Sequence, residues 1–263
     1  MVAVLGLAVL QSLLVALPRR TALAPLTRLR SPIWAAALPG SIVIGTFGPL
    51  WHPSFAHALV VLAAVVTPLL AVVAMLGVVR MQRALLAGTA SALALGTVLA
   101  SGTTQQLSLS IVTALGCLTV GVTLTRLIPP RWLLLGVALM AVVDALFLSV
   151  GIGQASAASM ALAQAHFRGP RFDEAVVGWL TIDFPDLVLV GVLAGFVAGM
   201  HVQRRAAMTL GVLAVASGML VPVVVWVPAT IPPALTFALL RGLQGMTWFD
   251  GDRVPSRTLA PAV

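Results

Sequence analysis

The sequence predicts an all-α polytopic membrane protein of nine transmembrane helices, with its N-terminus outside and its C-terminus cytoplasmic. Three observations lead there. First, 60% of the 263 residues are hydrophobic and only 8% are charged, whereas a soluble domain carries about 25% charged residues. Second, apolar runs of membrane-crossing length follow one another along the chain, separated by arginine, proline or polar clusters. Third, the arginines alternate from loop to loop, as they do where basic loops stay cytoplasmic. No polar run is long enough for an extramembrane domain, so residues 1–263 are expected to form a single transmembrane domain.

The expected spans lie at about 2–18, 33–50, 55–79, 84–101, 107–125, 132–152, 175–200, 206–227 and 229–248. The first is apolar with no basic segment before it, so it reads as an outside-starting span rather than a cleaved signal peptide. Pro39, Gly40 and Pro49 interrupt the second, and Pro232, Pro233 and Arg241 interrupt the ninth. Arg19, Arg20, Arg28 and Arg30 fill the first loop, and Arg80 and Arg83 the third. Arg126 and Arg131 flank the fifth, Arg204 and Arg205 the seventh, and Arg253 and Arg257 follow the ninth span. The even loops carry no arginine except the sixth, where Arg168 and Arg171 are accompanied by Asp173 and Glu174. That loop, Gly153 to Glu174, is the longest connection. Its ASAASMALAQAHF stretch has helix-forming composition with Met160 and Phe167 on one face, followed by a turn at Gly169-Pro170.

The net charge of +8 comes from arginines, with no lysine in the chain. In a soluble protein it would suggest nucleic acid; here the arginines sit between apolar segments and set topology, so no nucleic-acid partner is expected. Cys117 is the only cysteine, which rules out an internal disulfide or a cysteine metal cluster. His52, His57, His166 and His201 are scattered without ligand spacing, and no phosphate-binding loop or nucleophile elbow occurs. Neither a metal nor a cofactor is expected.

What remains to explain is acidic. Asp144 lies in the sixth apolar segment and Asp183 and Asp186 in the seventh, with Pro185 between the last two. An aspartate at the centre of a membrane helix costs about 2.5–3.5 kcal/mol on insertion scales. Taking span six as running outward, Asp144 falls about 3 Å beyond its midpoint. Taking span seven as running inward, Asp186 stands beside its midpoint near Leu187, and Asp183 about 6 Å further out. Antiparallel neighbours would therefore bring Asp144 level with Asp186, or with the gap between the two. Two carboxylates at one depth can share a proton, leaving one acid and one base. Peptide hydrolysis through an activated water requires that pair. Two other readings of these residues stand beside it. One is a set of structural hydrogen-bond partners inside the bundle; the other is proton or cation coupling in a transporter. Pro185 disfavours helix at Phe184, so span seven should kink or unwind between Asp183 and Asp186.

With MAVVDALFLSVG on span six, DFPDLVLVGVLAG on span seven and Pro233-Ala234-Leu235 opening span nine, the chain resembles the presenilin and signal-peptide-peptidase family of intramembrane aspartyl proteases, as a divergent prokaryotic-type relative. That family has nine spans, a Tyr-Asp motif on the sixth, Gly-x-Gly-Asp on the seventh and Pro-Ala-Leu at the ninth. Val143 stands here where the family has tyrosine, and Asp183, Phe184 and Pro185 stand where it has Gly-x-Gly. The resemblance covers the order of motifs on spans six, seven and nine. It implies a scaffold of spans one to five, about 2–125, and a catalytic half of spans six to nine, about 132–248. It implies catalysis by Asp144 and Asp186, with Asp183 as an alternative partner and Pro185, Pro233, Ala234 and Leu235 shaping the site. The implied substrates are transmembrane or signal-peptide segments, in the lipid bilayer of a prokaryotic cytoplasmic membrane. A coupled transporter, or a relative that kept the fold without the chemistry, are the alternatives. On this comparison Pro228 to Pro233 would enter the membrane extended, letting Leu235 reach mid-depth before Arg241 snorkels to the inner interface.

Overall fold

The structure, a computed structural model, describes residues 2–19, 23–79, 89, 92–93, 96–97, 101–167, 169–172, 174–178, 180–198, 200–220 and 229–244. Among them, nine α-helices account for most of the chain. They are α1 (Val2–Ala16), α2 (Ala37–Trp51), α3 (Pro53–Val73), α4 (Thr103–Leu127), α5 (Pro130–Ser149), α6 (Ile152–Phe167), α7 (Phe184–Val197), α8 (Gln203–Leu220) and α9 (Ile231–Gln244). A β-hairpin, β1 (Glu174–Val177) and β2 (Leu180–Asp183), stands between α6 and α7.

Four helical stretches are long and apolar enough to cross a bilayer: Pro32–Trp51, Pro53–Val78, Thr103–Leu127 and Pro130–Ser149. They coincide with the second, third, fifth and sixth expected spans, and are compatible with an integral membrane protein. Shorter apolar helices occupy Val2–Ala16, Phe184–Val197 and Ile231–Leu240. Most of the expected span at 84–101 lies outside the described residues, as do the end of the eighth, the end of the ninth and Pro228.

The prolines that interrupt the second span are absorbed at its ends. Pro32–Ala36 form a 3-10 turn that leads into α2, Pro39 falls in the first turn of α2, and Pro49 in its last. Pro39 lacks an N–H where the first turn needs none, whereas Pro49 removes the bond to the Gly45 carbonyl, which accepts the Ser156 hydroxyl at 3.3 Å instead. α3 continues through a π-helical turn, Ala74–Val78. Its apolar side chains face outward in number, Leu62, Val65, Leu69 and Leu76 among them. An outward apolar face of this kind is compatible with a lipid surround.

The centre of the fold is α4. It packs against α3, α7 and β1, and its side chains from Val112 to Val122 are nearly all buried. Small residues allow this. Gly121 of α4 lies against the backbone of Gly191 and Val192 of α7, and Gly191 against the carbonyl of Cys117. Close backbone approach of this kind holds apolar helices together where no hydrophobic drive separates protein from lipid. α1 packs along α8 and also touches α7. The C-terminal carbonyls of α1 are taken up by Gln203, whose Nε2 lies 3.0, 3.2 and 3.3 Å from the oxygens of Val15, Ala16 and Pro18. The helix expected in the sixth loop is α6, which packs on α2 and α3. Met160 and Phe167 sit together against buried Ala56, Val60 and Ala163.

Two expectations are corrected. The seventh span is not one helix from 175 to 200. Residues Glu174–Asp183 pair as an antiparallel hairpin in the register Ala175↔Ile182 and Val177↔Leu180, and the helix begins only at Phe184. The fold is therefore not wholly α-helical. Two residues join the strands, and the first, Gly178, takes φ +65° as the tight hairpin turns require. The ninth span does not open on extended prolines either. Pro232 and Pro233 lie in the first turn of α9, where their fixed φ is already helical and a missing N–H breaks no intrahelical bond.

Candidate active site

Asp186 occupies the first turn of α7, beside Pro185. It is thus at a helix N-terminus, not at the middle of a long span as the sequence suggested. Pro185 starts this helix instead of kinking it, since proline is favoured in the opening turn. Asp183 is the last residue of β2 and precedes the helix with extended backbone, φ −74° and ψ 157°. Its side chain makes no capping bond to α7. It is exposed, whereas Asp186 is half-buried. Asp144 lies on α5, also half-buried. Asp186 stands within electrostatic reach of both Asp144 and Asp183, so the fold does bring the three acids of the sequence into one neighbourhood.

The means by which it does so differ from expectation. α5 and α7 do not pack along each other; α9 touches both. Phe237 of α9 meets Phe196 of α7 edge to face, with ring centroids 5.5 Å apart. Just before α9, the buried hydroxyl of Thr230 donates to Oδ2 of Asp144 at 2.6 Å. Of the expected Pro-Ala-Leu residues, Pro233 is buried, Ala234 packs at the edge of the core, and Leu235 is 46% exposed. The tripeptide therefore forms the opening turns of the helix that bridges the two aspartate helices.

α4 supplies a second set of contacts that sequence reasoning missed by treating the fifth span as scaffold. Ser110, Thr113 and Cys117 recur on one face of this helix, and all three reach the segment leading into α7. The Ser110 hydroxyl donates to the carbonyl of Val176 at 2.8 Å and accepts from its N–H at 2.9 Å. Thr113 donates to the carbonyl of Phe172 at 3.4 Å, and the Cys117 thiol points at the carbonyl of Phe184 at 3.6 Å. One face of α4 thus holds the chain from before β1 to the residue two places ahead of Asp186. Small polar residues at helical spacing within an apolar run were the available signal.

The hairpin has two unequal edges. Val176 and Thr181 oppose each other in a pair whose N–H and C=O groups point away from the partner strand. Ser110 satisfies those of Val176. Among the described residues, none bonds the outward groups of Thr181, which is exposed. An unpaired strand edge of this kind can accept another extended chain. It ends at Asp183, three residues before Asp186. Comparison of the chain with protein-family models, with curated proteins and with solved structures yields no match.

Proposed function

We propose that the protein is an intramembrane aspartyl protease of the presenilin and signal-peptide-peptidase kind, with Asp144 and Asp186 as its acid–base pair. The observation that carries the reading is that Asp186 lies within electrostatic reach of Asp144, three residues after a strand edge whose outward groups at Thr181 are unpaired among the described residues. In the reaction, one carboxylate takes a proton from a water molecule as its oxygen bonds to the peptide carbonyl carbon. The other carboxyl group donates its proton to the carbonyl oxygen. The tetrahedral intermediate then collapses, the C–N bond breaks, and the leaving amine takes up the proton gained from water. As the C–N bond breaks, a hydroxyl of the diol returns its proton to the second carboxylate, so the pair regains its starting protonation and one water is consumed.

A membrane-spanning substrate presents its peptide bonds within a helix, where they are shielded. The free edge of β2 at Thr181 offers main-chain hydrogen bonds to a stretch that has unwound, in the manner of strand addition. The substrates are accordingly transmembrane or signal-peptide segments reached through the bilayer of a prokaryotic cytoplasmic membrane. The N-terminus lies outside and the C-terminus in the cytoplasm, as the arginines direct. Asp183 is the weaker candidate for the dyad, because it is exposed at a strand end while Asp186 is half-buried.

The test is cleavage of a transmembrane peptide by the purified protein in proteoliposomes. Wild type is expected to cleave, and Asp144→Asn and Asp186→Asn each to lose activity by at least about a hundredfold. Full activity in either variant removes that residue from the mechanism. Substrate-driven proton uptake without cleavage, abolished by Asp144→Asn, would replace the protease with a coupled transporter.

A further inference from the structure

Thr230 stands where a helix cap is expected. Its carbonyl accepts the N–H of Ala234 at 3.2 Å, the first bond of α9, which makes it the N-cap residue. A threonine in that position ordinarily turns its side-chain oxygen onto the N–H of the second or third helical residue. Here those residues are Pro232 and Pro233, and neither has an N–H to give. Nothing at the second or third position of α9 competes for the rotamer of Thr230. Thr236 shows the contrast, since its hydroxyl is spent on the carbonyl of Pro232 at 2.8 Å, inside its own helix. The hydroxyl of Thr230 instead reaches a residue 86 positions away, at Oδ2 of Asp144.

We infer that Thr230 is a positioning residue for Asp144, released from helix capping by the tandem prolines and holding one carboxylate oxygen so that the other faces the reacting water. This rests on the Asp144–Asp186 reading of the site. Thr230 has no measurable exposure and lies on the segment that opens the bridging helix, so its oxygen is fixed by the same packing that joins α5 to α7. A hydroxyl that donates to Asp144 treats it as an acceptor. That suits Asp144 to the role of base and leaves the proton of the pair with Asp186. The prolines then have two functions: they begin α9, and they leave its cap residue free for the site.

The experiment uses the full chain, purified in detergent, with Thr230→Val, Thr230→Ala and Thr230→Ser. Two quantities are read: kcat and KM for a transmembrane peptide, and the infrared carboxylate band of Asp144, identified by its loss in Asp144→Asn. Thr230→Val keeps the branched shape and removes the hydroxyl. It should lower kcat about ten- to a hundredfold with KM within about twofold, because a hydrogen bond to a charged group is lost. The Asp144 band should shift in Thr230→Val and Thr230→Ala and keep its place in Thr230→Ser, which should also restore kcat to within about threefold. The alanine variant serves if the valine variant does not fold. A band that does not move without the hydroxyl overturns the inference, whatever happens to cleavage. A band that moves while kcat stays at the wild-type value overturns it as well. If wild type cleaves no peptide, the protease reading fails by itself, and a band shift confined to the variants lacking the hydroxyl still supports the hold of Thr230 on Asp144.

Discussion

Ser110 and Val176 exchange two hydrogen bonds, with the hydroxyl donating to the carbonyl at 2.8 Å and accepting the N–H at 2.9 Å. A single side chain on α4 thereby does for β1 what a third strand would do, and closes the inner edge of the hairpin. Ser110→Ala leaves the half-buried Val176 with an unpaired N–H and C=O, at up to about 1–3 kcal/mol for each unsatisfied group. The hairpin should loosen while α6, which packs on α2 and α3, stays as it is. Hydrogen exchange followed by mass spectrometry should accelerate in peptides covering 174–183 and remain at the wild-type rate in those covering 152–167. Unchanged exchange in the hairpin would mean that β1 does not depend on α4.

The close approach of α4 and α7 yields a sharper steric prediction. A Cβ on Gly191 would stand 2.6 Å from the carbonyl oxygen of Cys117 and 3.0 Å from Cα of Leu118, both backbone atoms of the facing helix. Neither can turn aside as a side-chain tip would, so Gly191→Ala must push the helices apart. The expected cost is about 1–3 kcal/mol of stability, with activity reduced because α7 carries Asp186. Gly45→Ala is the control. It meets nothing within 4 Å, and in a helix interior it should be neutral or stabilising by up to about 1 kcal/mol. Thermal unfolding of the two variants in one detergent checks both.

Asp183 and Asp186 are near neighbours in sequence with opposite expectations. Asp183 is exposed and makes no capping bond to α7. Asp183→Asn should keep kcat within about threefold of wild type, the range of an ordinary surface substitution. Asp186→Asn should not. If the cleavage assay shows the reverse order, the dyad has been assigned to the wrong residue.

Gln203 links the two ends of an early and a late helix through the carbonyls of Val15, Ala16 and Pro18. These are among the oxygens that a helix C-terminus leaves without partners. Gln203→Leu fills similar space but donates nothing, and should lower stability by about 1–3 kcal/mol. The loss should appear in thermal unfolding, with kcat at low temperature left unchanged. A large loss of kcat at full stability would show that the α1–α8 contact reaches the site, by way of the contact of α1 with α7.

The sequence by itself pointed to a membrane protein, and it determined the position of most helices and the identity of the unusual acids. Composition alone implies a membrane protein, because 60% hydrophobic and 8% charged residues leave too little polar surface for a water-soluble fold. Apolar run length located α2, α3, α4 and α5 well, since a run of about 20 apolar residues has few other uses. Only the tertiary structure decided how the acids meet. Hydropathy is blind to the difference between an apolar helix and an apolar hairpin, so 175–200 read as one span. Val176, Val177 and Ile182 around Gly178 were β-branched evidence outweighed by length. Depth along a span was likewise the wrong coordinate for Asp186, which belongs to a helix start. Nor does a sequence reveal pairings across many residues. Thr230 with Asp144, and Ser110 with Val176, are joined only by the packing of α9 and α4. A hydrogen bond depends on where the chain returns in space, which local composition does not encode.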